Sequence, residues 1–215
     1  MSGERLAFGM RKGWIVKLVS LAVLVVVGVH ANAPMVNAED KQAEGRSESM
    51  VVMETSEGTI KIELWADKAP MTVKNFLKYV DDGFYEGTVF HRVIRDFMIQ
   101  GGGLTADLKT KPNRDPIKNE ASPELKNERG TVAMARTNMI NSATSQFFIN
   151  VVDNDFLNQK NKTPMGFGYC VFGKVVEGME VVDKIRAVPT STQGQFENVP
   201  VNPVVIKSIK RVEQP

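Results

Sequence analysis

The chain has 215 residues, of which 42% are hydrophobic and 24% charged, a size and balance that suit one domain, or one domain plus appendages, with its own core. Its formal charge is +2, and beyond residue 38 there are 23 basic against 24 acidic residues, so the body carries no footprint for nucleic acid or an anionic membrane. The single cysteine, Cys170, excludes an internal disulfide, and two histidines are too few for a Cys/His zinc cluster, so no metal or cofactor is expected.

Residues 1–38 read as a secretory signal peptide. Arg11 and Lys12 precede the apolar run Leu18 to Val29, which is shorter than the roughly 20 residues a membrane span needs. Cleavage after Ala33 would leave Pro34 just past the cut, so cleavage is placed after Ala38; an uncleaved anchor is the alternative. A cleaved signal implies export without stable membrane insertion. Residues 39–49, "EDKQAEGRSES", read as a disordered leader, and the folded domain is expected over 50–215.

Two apolar runs in "MVVMETSEGTIKIELW" flank the turn signal "TSEG", a hairpin in which Ile60, Ile62 and Leu64 share a buried face. "APMTVKNFLKYVDDG" predicts a helix. Pro70 suits its first position, Val73, Phe76, Leu77 and Val80 line one face, and Gly83 supplies the stop. Strands are expected near 88–94 and 97–100, then a long proline-broken polar loop over 104–129. "GTVAMAR", "SQFFINVV" and "YCVFGKVV" predict three more strands, with one helical turn at "DNDFLN" capped by Asp153 or Asn154. "GMEVVDKIRAVP" is the second helix and "PVVIKSIKRV" the last strand. About eight short strands with two well-separated helices predict a mainly β fold: a closed eight-stranded antiparallel β-barrel capped by two α-helices.

Several chemistries are absent. There is no G-x-S-x-G elbow, no G-x-x-x-x-G-K-[ST] loop, and no G-x-G-x-x-G opening a helix. "GGG" at 101–103 follows a strand but leads into polar, proline-broken chain. Cys170 lies in an apolar strand-like run and reads as a small core residue. What stands out is "FHRVIRDFMIQGGG", residues 90–103, where Arg92 and Gln100 are threaded through core-type residues.

"FHRVIRDFMIQGGG", "GTVAMAR", "SQFFINV", "DNDFLN" and "YCVFGKVVEGMEVVDKI" together resemble the cyclophilins, in residues and in order, from about Met50 to Val212. With the signal sequence, the spellings are most similar to the periplasmic cyclophilins of Gram-negative bacteria. The resemblance implies a peptidyl-prolyl cis–trans isomerase of the periplasm that acts on proline-containing polypeptides and assists the folding of unfolded exported proteins.

That chemistry suits these residues. Rotation about an X–Pro bond must cross a barrier of roughly 20 kcal/mol set by amide resonance, and catalysis requires binding the twisted amide better than either planar form. Twisting frees the nitrogen lone pair to accept a hydrogen bond and lowers the polarity of the amide. A fixed donor beside an apolar pocket therefore serves. Arg92 fits the donor role. Gln100 lies two residues after Met98, so on a strand both meet the same ligand, and Gln146 and Phe148 repeat the pairing. The resemblance implies that Phe97, Met98, Phe148 and Leu157 line the proline pocket, that Phe156 and Tyr169 border it, and that the backbone of Ala135, Arg136 and Thr137 runs alongside the peptide. His91 reads as structural, alternating to the strand face opposite Arg92.

Two positions depart from many eukaryotic cyclophilins, which carry tryptophan where this chain has Phe156 and histidine where it has Tyr169. Without an indole N–H at Phe156, weak or no cyclosporin binding is expected. Trp65, the one tryptophan beyond the signal, is expected away from the site. The competing functional readings are a proline-peptide-binding holdase without essential turnover and a scaffold protein acting through the 104–129 loop. An arginine aimed at the imide adds little to plain proline binding, which favours the enzyme.

Overall fold

The computed structural model describes residues 50–212. The expected signal peptide and leader, and residues 213–215, lie outside the described residues. Ten strands are present: β1 (Met50–Thr55), β2 (Gly58–Leu64), β3 (Arg92–Ile94), β4 (Met98–Gly101), β5 (Thr131–Met134), β6 (Phe147–Asn150), β7 (Val171–Glu177), β8 (Thr190–Gln193), β9 (Phe196–Pro200) and β10 (Ile206–Arg211). Among the described residues there are also two helices, α1 (Pro70–Asp81) and α2 (Met179–Arg186), and a short 3-10 turn at Asp155–Leu157. Among the described residues no helix is long and apolar enough to cross a membrane.

Eight strands form one antiparallel sheet in the order β10-β1-β2-β7-β5-β6-β4-β3. The sheet curls, but the full closure expected of a barrel is not present. Its end strands, β3 and β10, share no ladder; the chain ahead of β3 meets residues 204–206 through the isolated bridge Val89 to Val205 and three backbone hydrogen bonds. The reason is local: β3 is three residues long and turns at once into β4. The hairpin β8–β9 is a separate two-stranded ribbon. "TSTQGQFENVP" has too few alternating apolar residues to have announced it.

Sheet alternation divides the interior in two. Val93, Ile99, Ile149 and Val132 lie in register across β3, β4, β6 and β5 and face the main core with Phe76, Phe147 and Phe172. The intervening row, Arg92, Gln100, Phe148 and Ala133, lies on the opposite face. There Met98, Leu125, Ala133, Phe148, Leu157 and Val171 form a second apolar cluster. Trp65, partly buried, packs against this second cluster.

Helix α1 begins with Pro70 and has no side-chain cap of its own. Its free N–H groups are met from the 104–129 loop: Glu120 accepts from the backbone of Met71 (3.1 Å) and Thr72 (2.7 Å), and from the Thr72 hydroxyl (2.7 Å). Gly83, at φ 63°, ends the helix. The same loop bonds Asn119 to the Gly168 carbonyl, Asn113 to Ser145 and Arg114 to Tyr79. It also places Leu125 in the second cluster, so this segment is bound into the body rather than displayed from it.

Candidate active site

The pocket is built on the outer row of the sheet. Arg92 leaves β3 opposite Gln100 of β4, and Gln100 in turn lies opposite Phe148 of β6. Met98 shares their face because it precedes Gln100 by two. With Phe97, Ala135, Arg136, Leu157 and Tyr169 these residues surround an open pocket of about 110 Å³. That is well below the several hundred Å³ of a drug-sized site, and fits one small side chain or ring. Met98, Phe148 and Leu157 are buried and supply an apolar floor.

Nine of the twelve residues expected here line the pocket: Arg92, Phe97, Met98, Gln100, Ala135, Arg136, Phe148, Leu157 and Tyr169. Three do not. Gln146 stands just outside, where its Oε1 accepts from Gln100 Nε2 at 2.9 Å and its carbonyl from Ala135 N–H at 2.9 Å. Thr137 is exposed and bonds Ser142. Phe156 is 63% exposed, and its ring packs on the outer side of Phe97 with centroids 5.4 Å apart. Its place in the turn, one residue ahead of buried Leu157, turns it outward.

Arg92 is half-buried at the pocket edge. Its guanidinium lies 6.0 Å from the Phe97 ring centroid, and among the described residues its side chain makes no hydrogen bond or ion pair. A planar charged donor thus stands over an apolar floor with its N–H groups unspent. His91, beside it, is buried and lines no part of the pocket. Burial pushes its imidazole down to about 4, against a bond with the Val89 backbone that raises it, and the Arg92 charge lowers it further. It is neutral at ordinary pH.

The pocket walls are fixed by four buried asparagines. Asn154 Nδ2 donates to the Phe97 carbonyl (2.9 Å) and to Asn150 Oδ1 (2.8 Å). Asn150 Nδ2 donates to Thr131 Oγ1 (2.9 Å) and Asn127 Oδ1 (3.2 Å), and Asn127 N–H donates to Asn158 Oδ1 (2.7 Å). Asn154 was expected to cap the short turn with its side chain. It makes no such bond; its amide group is turned into this network instead. Asp153, the other cap expected, accepts from Arg129 N–H (2.7 Å) instead. The spacing Asn150, Asn154, Asn158 is the local sequence signal of this network; its partner Asn127 is distant and carries none.

On the far wall Arg136 stacks over Tyr169, its guanidinium carbon 4.7 Å from the ring centroid, and Tyr169 meets Phe148 edge-on at 5.7 Å. Arg136 was expected to contribute backbone; its side chain also lines the pocket.

This geometry agrees with the comparisons. The family described as cyclophilin type peptidyl-prolyl cis-trans isomerase/CLD matches residues 50–211. Peptidyl-prolyl cis-trans isomerase B of Escherichia coli is 57% identical over 160 residues, 74% of this chain and 98% of that protein. Peptidyl-prolyl cis-trans isomerase A of Dickeya dadantii is 48% identical over 198 residues, 92% and 99% of the two chains. A cyclophilin-type isomerase of Cryptosporidium parvum, solved in the presence of the dipeptide Ala-Pro, is similar with a TM-score of 0.63 and 29% identity, covering 77% of this chain and 99% of that one. The chain belongs to the cyclophilin-type peptidyl-prolyl cis-trans isomerases.

Proposed function

We propose that this chain accelerates rotation about X–Pro bonds with Arg92 as the group that stabilises the twisted amide. The prolyl ring enters the pocket over Met98, Phe148 and Leu157, and Phe97 closes its side. The peptide lies along Ala135, Arg136 and Thr137, within reach of Gln100, which Gln146 holds by its amide oxygen. As the bond twists, the lone pair of the prolyl nitrogen is no longer shared with the carbonyl and the Arg92 guanidinium donates to it. No bond to a heavy atom is made or broken and no general base is needed, which agrees with a neutral His91 set outside the pocket.

The observation that carries this reading is the unspent guanidinium of Arg92 over an apolar floor. A charge-assisted bond present mainly in the twisted state contributes about 1.5–3 kcal/mol, roughly ten- to a hundred-fold in rate. The test is a protease-coupled isomerisation assay on an Ala-Pro peptide, comparing residues 39–215 with Arg92→Ala. Clear acceleration by the parent, a loss of at least tenfold in kcat/KM for the variant and an unchanged melting temperature are expected. A parent no faster than buffer would overturn the isomerase reading and leave a proline-binding holdase.

The physiological setting follows from the sequence. Arg11, Lys12 and the apolar run Leu18 to Val29, with cleavage expected after Ala38, support export, and so a role in the periplasm on unfolded exported proteins. Cyclosporin binds weakly or not at all, because Phe156 offers no N–H to a buried acceptor.

A further inference from the structure

The charge around the pocket is one-sided. Arg136 donates from Nε to the Gly168 carbonyl (3.0 Å), from Nη1 to the Thr137 carbonyl (2.9 Å) and from Nη2 to the Pro164 carbonyl (2.9 Å). Those bonds take three of its five N–H groups and leave two. All three acceptors are neutral, so the guanidinium is fixed in place without being neutralised. Among the described residues it has no carboxylate partner, and neither does Arg92. The loop it ties down, residues 158–168, adds Lys160 and Lys162 and contains no acidic residue. Of the acidic residues within two positions of lining residues in sequence, Asp96 pairs with Arg186 at 3.5 Å and Asp155 accepts from Asn158 at 3.1 Å; neither lines the pocket. A body of nearly balanced charge therefore presents two unpaired guanidiniums at the one place where substrate enters.

A purely structural tether would not need to stand there. The loop carbonyls could be met by a residue facing away from the pocket, whereas Arg136 sits over the Tyr169 ring, its guanidinium carbon 4.7 Å from the centroid, and is among the lining residues. Consecutive Cα atoms are about 3.8 Å apart, so with a prolyl ring seated the residues on either side of it pass within reach of this wall.

Resting on the isomerase reading, we propose that Arg136, with the basic loop it anchors, selects X–Pro segments carrying an aspartate or glutamate directly beside the proline. Such a side chain meets a fixed planar fork with two free N–H groups, and a lysine at the same place is repelled.

The test is exchange NMR, without protease, on blocked peptides Ala-Xaa-Pro-Ala and Ala-Ala-Pro-Xaa with Xaa glutamate, alanine or lysine, catalysed by residues 39–215. Exposed ion pairs change such rates by up to about fivefold each, so glutamate is expected to exceed lysine by about tenfold in at least one series at low salt. The ratio should shrink toward about twofold at 0.5 M salt, where screening acts within about 4–5 Å. Arg136→Gln should cut the low-salt ratio at least threefold. Rates equal within twofold, or a lysine preference, would overturn the proposal while leaving catalysis intact. A ratio unchanged in Arg136→Gln would overturn the assignment to Arg136. No acceleration of any peptide would instead overturn the isomerase reading beneath it.

Discussion

Asn154 donates to the carbonyl of Phe97 across 2.9 Å, and so joins the turn that carries Leu157 to the start of the strand that carries Met98. Both are walls of one pocket, yet 57 positions separate the bonded residues. The bond is partly buried, and its donor also holds Asn150 Oδ1 in a buried bond. Asn154→Ala leaves Asn150 Oδ1 without a partner, at about 1–3 kcal/mol, while the Phe97 carbonyl still accepts from Val151 N–H (3.2 Å). A loss of about 1–3 kcal/mol in urea unfolding is expected, with KM for an Ala-Pro peptide rising because the walls are no longer held in register. A variant as stable as the parent with the same KM would show that the network is dispensable.

His91 gives the protein an acid sensitivity that its carboxylates do not. Its folded-state value of about 4 lies below the ordinary 6.5 because burial penalises the charged ring. The unfolded chain therefore binds the proton first as pH falls. The contribution of neutral His91 is full above about 6.5, declines between 6.5 and 4, and changes no further below that. Its size is at most about 3 kcal/mol. Asp81 and Asp183, held low by bonds to Arg211 and Arg129, lose their contributions below the usual carboxylate range and leave this window clear. Urea unfolding from pH 7.5 to 4 should show the decline in the parent and little of it in His91→Leu. Parallel curves would place the sensitivity elsewhere.

Glu120 replaces the missing N-cap of α1. It reaches the helix from 48 positions away and accepts two backbone N–H groups and one hydroxyl. A carboxylate at a helix start is favoured by those N–H groups and by the helix dipole. Glu120→Ala should cost about 1–2 kcal/mol, and Glu120→Gln less, since an amide oxygen can still accept. Equal stability of all three proteins would sink the assignment. The same contact bears on the scaffold reading of the 104–129 loop: deletion would strip α1 of its cap and the pocket cluster of Leu125, and so would test folding rather than partner binding.

The fold was legible wherever the signal was local. Alternation in β2, the Val73–Val80 stripe with Pro70 and Gly83 in α1, and the placing of Met98 and Gln100 on one face all follow from neighbours in sequence. The pocket residues came from family motifs, and strand pairing shows why they converge: Arg92, Gln100 and Phe148 form one cross-strand row. What escaped depends on distant partners. The Asn127–Asn158 bond, the Glu120 cap and the side chain of Arg136 join positions that carry no sequence signal of their proximity. Closure of the sheet was misjudged because strand number does not report whether the end strands meet. The β8–β9 ribbon was missed because polar strands have no buried face to alternate.

Cys170 can report on the same helix start. Its thiol is buried, and desolvation pushes it up to about 11; the Thr72 hydroxyl 3.5 Å away opposes that rise, and the Glu120 charge adds to it. At pH 8 almost none of it is thiolate, and no reagent reaches it without opening of the fold. A disulfide reagent should therefore label the native protein at a rate set by opening, and the urea-unfolded chain at once. Thr72 touches both Glu120 Oε2 (2.7 Å) and Cys170 Sγ (3.5 Å), so the cap and the thiol share one contact chain. If the opening that exposes Cys170 begins at the start of α1, Glu120→Ala should speed labelling by about tenfold for each 1.4 kcal/mol of cap lost. Labelling that is equally slow in both proteins while the global stability falls would place Cys170 behind a different opening, one that leaves the first turn of α1 intact.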